Sequence, residues 1–186
     1  MSDLIRTPIE TPRLIIRRWR ISDAPDMYEY AKHPDVGPAA GWKPHESLEE
    51  SQNILRTMFL DQDQWALVDK ETNKVIGSIG VMKDPSRRVE KAYEFGYVLA
   101  YEYWGQGLML EATTEIVKYI FQQLNASVLA VGHYPFNMRS KSIIEKLGFK
   151  YEGTIRQGMT IYDGTTYDKI VYSMLREEYI KKYCQS

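Results

Sequence analysis

Gly105 and Gly107, one residue apart, stand between the apolar run Tyr97 to Ala100 and the stretch that begins at Leu108, and they are the residues best suited to hold an anion. Neither has a Cβ to keep a ligand from the main chain, and the N–H groups that open a following helix have no intrahelical partners. A phosphate satisfies such groups, helped by the positive end of the helix dipole. The plainer reading is that two glycines only turn the chain. A second segment, Asn137 to Gly153, reads as a helix capped by Asn137, stopped by Gly148 and followed by a strand. His45 and His133 have the side-chain chemistry of a base near neutral pH. A lone His at a strand end is more commonly structural. Cys184 is the one cysteine and lies in a polar tail, which argues against both a disulfide and a positioned nucleophile.

These groups need a scaffold, and its elements follow from periodicity. Leu14 to Trp19 is expected to be a strand, with Ser22-Asp23 capping a helix from Ala24 to Lys32 that His33-Pro34 ends. Ser47-Leu48-Glu49-Glu50 is a capping box for a helix from Leu48 to Leu60, the hydroxyl and the carboxylate satisfying end amides reciprocally. Trp65 to Val68 and Val75 to Met82 flank the polar turn Lys70 to Asn73 and read as a hairpin. Ala92 to Leu99 is the expected central strand, Leu108 to Leu124 the helix after the glycines and Val128 to His133 the returning strand, a β-α-β unit. Met138 to Leu147 is the next helix. Lys150 to Gln157 and Thr166 to Leu175 are strands joined through Asp163-Gly164, a hairpin-turn pair. The fold class is α/β, a mixed sheet with helices on both faces.

The chain has 186 residues, enough for one domain, and no linker-like stretch divides it. Its 24 Lys plus Arg balance 25 Asp plus Glu, so no general attraction for nucleic acid or membrane is expected. The Arg17-Arg18-Trp19-Arg20 cluster reads as a solvated strand edge, with a docking patch as the alternative. The N-terminus lacks an apolar signal core, and no run nears the roughly 20 apolar residues of a membrane-spanning helix, so a cytoplasmic protein is expected. Three His and one Cys without close spacing imply no metal. The tyrosines and tryptophans fall mostly at strand or helix spacing and are expected in the core.

Taken together, the glycine segment and the Asn137-x-x-Ser140 to Lys146-Leu147-Gly148-Phe149 block resemble the Gcn5-related N-acetyltransferase (GNAT) superfamily. The nearest resemblance within it is to the Rim-type ribosomal-protein N-terminal acetyltransferases. Glu10 to Arg17 is similar to that family's opening strand, Trp42-Lys43-Pro44-His45 with Ser47 to Glu50 to its loop between the first two helices, and Glu94-Phe95-Gly96-Tyr97 to its central strand. The superfamily's cofactor loop usually runs Gln or Arg, two residues, Gly, one residue, then Gly or Ala. Here Trp104 and Met109 fill the first and last places. The loop acts mainly through backbone amides, and Rim-type members often carry an aromatic at the first place; Met109 is the larger departure, set where it could reshape the cofactor pocket.

The resemblance implies a mostly antiparallel central sheet whose two middle strands splay to form a cofactor cleft. Acetyl-CoA is the implied co-substrate, without a metal. Its pantetheine arm would bond backbone groups of Val98, Leu99 and Ala100, and its pyrophosphate the segment Trp104, Gly105, Gln106, Gly107, Leu108 and Met109. Asn137 would cap its helix and also contact the cofactor. Glu94 matches the family's Glu-x-Gly-Tyr and could relay a proton from the substrate ammonium through water, or be an ordinary salt-bridge partner. Ser140 matches the Ser that holds or protonates the departing thiolate, or bonds only its own backbone. Tyr151 is a second candidate acid, although its alternation with Phe149 fits packing. Trp42, Pro44 and His45 would wall the acceptor site.

The implied function is acetyl transfer to a primary amine, a protein N-terminus or a small amine, by direct attack in a ternary complex. The competing function is a non-catalytic module that senses acyl-CoA or binds a partner. The resemblance also allows a homodimer.

Overall fold

Leu14 and Ile16 are fully buried while Ile15 and Arg17 are half-buried, the period-2 signature of a strand with one covered face. The computed structural model describes residues 7–60 and 62–185. Contacts divide the chain into two compact units, Met1–Gly80 with Tyr97–Ala112, and Val81–Gly96 with Thr113–Ser186.

The first unit contains β1 (Ile9–Glu10), β2 (Leu14–Arg18), β3 (Gln64–Asp69) and the start of β4 (Val75–Lys83), paired antiparallel in that order. Trp65, Ala66, Leu67, Ile76 and Ile79 leave almost nothing exposed, so β3 and β4 are the unit's core. Its helices are α1 (Ala24–Ala31), α2 (Val36–Ala40) and α3 (Leu48–Ile54), the last continuing through a π-helical turn, Leu55–Phe59. The expected helix from Leu48 to Leu60 is therefore present with a change of winding. The β3–β4 turn is closed by Asp69, whose Oδ2 accepts from the Thr72 N–H at 3.1 Å and the Thr72 hydroxyl at 2.7 Å.

Two expected caps differ in detail. Asp23 does not cap α1; its carboxylate accepts from the Arg20 N–H at 2.8 Å and from both terminal nitrogens of Arg17, at 2.7 and 2.9 Å. The well-covered Arg17 is thus an ion-pair partner and not part of a solvated basic edge. Ser47 does cap α3, accepting the Glu50 N–H at 3.1 Å, but the Glu50 carboxylate reaches back to the N–H of Glu46, one residue before the cap.

The second unit holds the start of β5 (Ala92–Leu99), β6 (Val128–His133), β7 (Lys150–Thr160) and β8 (Thr166–Leu175), with α4 (Leu108–Gln122) entering it and α5 (Met138–Leu147) and α6 (Arg176–Tyr183) within it. β5 and β6 are parallel, the pairing a β-α-β unit requires, whereas β6–β8 and β7–β8 are antiparallel. The parallel register covers Ala92↔Val128, Tyr93↔Leu129 and Glu94↔Ala130 and then stops, while β6 continues beside β8 to His133. Ile116, Val117, Ile120 and Phe121 recur at helical spacing on α4 and are fully buried. Phe121 stacks on Tyr179 at 4.6 Å, and Arg176 donates to the Phe121 carbonyl near the end of α4 and to the Ala126 carbonyl beyond it.

α2 and α6 were not expected from the sequence. α2 is five residues interrupted by Gly37 and Pro38, and α6 is so charged that its apolar signal reduces to Tyr179, Ile180 and Tyr183. The opening strand is broken at 11–13 into β1 and β2, and β7 runs three residues further than its polar end suggests. No helix among the described residues is long and apolar enough to cross a membrane.

The architecture is mixed α/β with mostly antiparallel strands.

Candidate active site

In the first unit, a single 3-10 turn, Tyr101–Tyr103, carries the chain out of β5 and into the glycine segment. Gly105 has φ +77° and Gly107 φ +79°, so both occupy the left-handed region that a Cβ disfavours by about 1–2 kcal/mol. Nothing lies within 4 Å of a Cβ built on Gly105, and Gly105, Gln106 and Gly107 are exposed. The α4 ladder begins with the Glu111 N–H donating to the Gly107 carbonyl at 3.0 Å, which puts this open loop at the helix N-terminus. The geometry fits a phosphate approaching main-chain amides. Leu108 and Met109 are buried, so the Met109 side chain does not stand in the open loop.

The loop is braced from two sides. Trp104 Nε1 donates to the Leu99 carbonyl at 2.8 Å, and Gln106 Nε2 donates to the Glu102 carbonyl at 2.8 Å. Arg13 Nη1 donates to the Gln106 carbonyl at 3.0 Å, and Arg13 Nε to Glu111 Oε2 at 2.8 Å. Glu111 Oε1 accepts from the Arg13 N–H at 2.9 Å and the Thr11 hydroxyl at 2.5 Å. Burial alone would raise the Glu111 carboxyl; the bonds from Thr11 and Arg13, with the Arg13 charge, outweigh it and hold the group below its ordinary value. The resemblance matched Arg13 and Thr11 as strand residues and left Glu111 without a role. The meeting of Arg13 with Glu111 across 98 residues has no local sequence signal.

Two main-chain groups of the expected pantetheine segment already have partners within the unit. The Ala100 N–H donates to the Ile76 carbonyl at 2.7 Å, and the Leu99 carbonyl receives Trp104. Gly77 permits a close approach here, since a Cβ on it would lie 2.4 Å from the Val98 carbonyl oxygen. Those two atoms are therefore already engaged by the protein's own groups.

The expected acceptor wall forms a local cluster. Trp42 and His45 lie with ring centroids 5.2 Å apart, and Trp42 folds over Gly37, where a Cβ would meet the indole at 2.7 Å. His45 is buried, and its Nδ1 is 2.7 Å from Ser51 Oγ. Burial lowers the His45 pKa, which keeps it neutral at pH 7. Trp42 and Pro44 are half-buried.

In the second unit, Glu94 Oε1 accepts from Lys169 Nζ at 2.5 Å, both side chains largely shielded at 15% and 17% exposure. The Lys169 stem reaches it by crossing Gly132, where a Cβ would meet Lys169 Cε at 2.6 Å. Glu94 is thus the salt-bridge partner that one reading anticipated. Lys169 was missed because nothing local links residues 75 apart. Asn137 accepts the Ser140 N–H at 3.1 Å through its side chain, as expected of a cap, and Ser140 is buried in the first turn of α5.

His133 Nδ1 donates to the Tyr134 carbonyl at 2.7 Å, while its buried Nε2 finds no hydrogen-bond partner among the described residues. Tyr151 is 60% exposed with its hydroxyl 3.0 Å from Thr154 Oγ1, and its ring packs edge-on against Tyr172 at 5.6 Å, while the buried Phe149 packs against Phe95 at 5.7 Å. Cys184 is an exposed free thiol. No group of three or more His, Cys, Asp or Glu side chains placed to share a metal ion occurs among the described residues.

Residues 13–150 match the acetyltransferase (GNAT) domain. The chain is 30% identical over 175 residues to the uncharacterized N-acetyltransferase YoaA of Bacillus subtilis, covering 90% of this chain and 96% of that one. It is 26% identical over 110 residues to the ribosomal protein uS5-alanine N-acetyltransferase of Escherichia coli, covering 59% and 56%. The crystal structure of the ribosomal-protein-S5-alanine acetyltransferase from Vibrio fischeri superposes with a TM-score of 0.74 at 25% identity, covering 92% of this chain and 98% of that one. The GNAT-family acetyltransferase from Bacillus anthracis shares the fold at a TM-score of 0.81, with 92% and 100% covered at 24% identity. The chain belongs to the GNAT family and is an N-acetyltransferase.

Proposed function

We propose that the chain moves an acetyl group from acetyl-CoA to a primary amine by direct attack in a ternary complex, and that the acceptor is a protein N-terminal α-amine. The observation that carries the donor half is the exposed loop with two glycines at positive φ opening into α4. Main-chain amides of Gly105, Gln106, Gly107, Leu108 and Met109 would hold the pyrophosphate, with Trp104 as the loop's brace, and Val98, Leu99, Ala100 and Asn137 would contact the rest of the cofactor. When bound, acetyl-CoA supplies an activated thioester.

The chain's own residues divide the remaining work. Lys169 engages one oxygen of Glu94, and the other is assigned to take the ammonium proton through water, leaving a neutral amine nucleophile. Ser140, set by the Asn137 cap, is assigned to donate a hydrogen bond or proton to the leaving thiolate. The acceptor assignment is supported by the relatives named as acting on ribosomal-protein alanine, with Trp42, Pro44 and His45 walling that side. Near-neutral charge favours a soluble peptide end over nucleic acid or membrane, and a cytoplasmic location goes with it.

The test is thiol release from acetyl-CoA with peptides beginning Ala, Ser or Thr, against polyamines and aminoglycosides. Release with peptides alone supports the assignment, and release with a small amine alone reassigns the acceptor. Acetyl-CoA binding without release in any arm would sink the acceptor assignment and point to an amine outside the panel or to the sensing module.

A further inference from the structure

We infer that Arg13, locked by Glu111, is a positioning residue that aims the Gly107 N–H at the donor's pyrophosphate. The inference rests on the assignment of the glycine loop to acetyl-CoA. A peptide unit is planar and trans, so its C=O and N–H point in opposite directions, and the described chain has no cis bond. The Gln106 carbonyl and the Gly107 N–H belong to one such unit. Fixing that carbonyl on Arg13 Nη1 at 3.0 Å turns the Gly107 N–H away from Arg13.

The unit turns about ψ of Gln106 and φ of Gly107, and Gly107, already at positive φ, tolerates a wide range of backbone angles that would leave it free to rotate. The arginine removes that freedom without entering the loop. Its own geometry is fixed two ways by one carboxylate: Glu111 takes the Arg13 Nε at 2.8 Å and the Arg13 main-chain N–H at 2.9 Å, and the Thr11 hydroxyl at 2.5 Å holds that carboxylate in turn. Glu111 sits in the first turn of α4, so the clamp ties the loop to the helix it opens. The guanidinium fork matters here: Nε and Nη1 point at two acceptors at once, which a lysine ammonium on a flexible stem does not reproduce.

The experiment compares dissociation constants for acetyl-CoA and S-acetylpantetheine, which lacks the phosphates, the latter by NMR shift titration so that millimolar binding is readable. Wild type should bind acetyl-CoA far more tightly. Arg13→Ala should weaken acetyl-CoA about tenfold, the scale of one hydrogen bond from a charged donor, and leave S-acetylpantetheine unchanged. Arg13→Lys should show the same selective loss. Equal weakening of both ligands in either variant would mean a general structural role and overturn the inference, as would full recovery by Arg13→Lys, which would indicate charge attraction. Wild type with no preference for the phosphate-bearing ligand would instead sink the loop assignment.

Discussion

Breaking the Glu94–Lys169 pair gives a sharp test, because its geometry sets both the sign and the size of the effect. Nζ and Oε1 are 2.5 Å apart, and the two side chains keep only 17% and 15% of their surface. A hydrogen bond between charged groups contributes about 1.5–3 kcal/mol, and one so shielded is screened only weakly by salt. Lys169→Met leaves a shielded carboxylate without its cation, and Glu94→Gln leaves an ammonium without its anion, so each single change should cost about 2 kcal/mol. At this chain length that lowers the melting temperature by about 4–8 °C. The double variant leaves no uncompensated charge and should be less destabilised than the two changes added together, with a coupling of about 1.5–3 kcal/mol. Urea denaturation of the four proteins reads this directly. A coupling under about 0.5 kcal/mol, the level of independent sites, would refute the pair as an energetic unit. Acetyl transfer by Lys169→Met is the functional companion: if Glu94 relays the proton, losing the group that orients it should lower kcat more than it raises the acetyl-CoA KM.

Other outcomes follow from single contacts. Ser140→Ala should lower turnover by about 100- to 10,000-fold with acetyl-CoA binding little changed, and unchanged turnover in a stopped-flow thiol assay would remove Ser140 from the chemistry. Gly107→Val forces a branched residue to φ +79°, so it should cost at least about 1–2 kcal/mol and abolish tight acetyl-CoA binding; calorimetry showing normal affinity would count against the loop. Glu111 has its folded pKa below the ordinary 4.5, so its stabilising contribution is present above that value and disappears as pH falls through the folded pKa. Glu111→Gln should therefore lose stability at neutral pH and differ progressively less from wild type as the pH is lowered below 4.5, measured by urea midpoints; a gap that widens on acidification would reverse the sign.

Elements governed by neighbours in sequence were predictable from residue pattern. Val128–His133, Met138–Leu147 and Thr166–Leu175 fall where their periodicity puts them, as does the Asn137 cap, which needs only a side chain and an amide three residues apart. The glycine loop belongs with these, since a strand, two glycines and a helix start are all local. Met109 marks the limit: its size was visible, but burial, which takes the side chain out of the open loop, depends on what surrounds it.

The amino-acid order fixed the types of the chemical groups and the short-range geometry that holds them, because capping, turning and alternation act over a few residues. Tertiary structure alone decided the long-range partners: Lys169 on Glu94, and Arg13 on both Glu111 and Gln106. The reason is physical. A carboxylate's charge is the same wherever it sits, while its role is set by the donors and burial that folding brings to it from residues as many as 98 positions away.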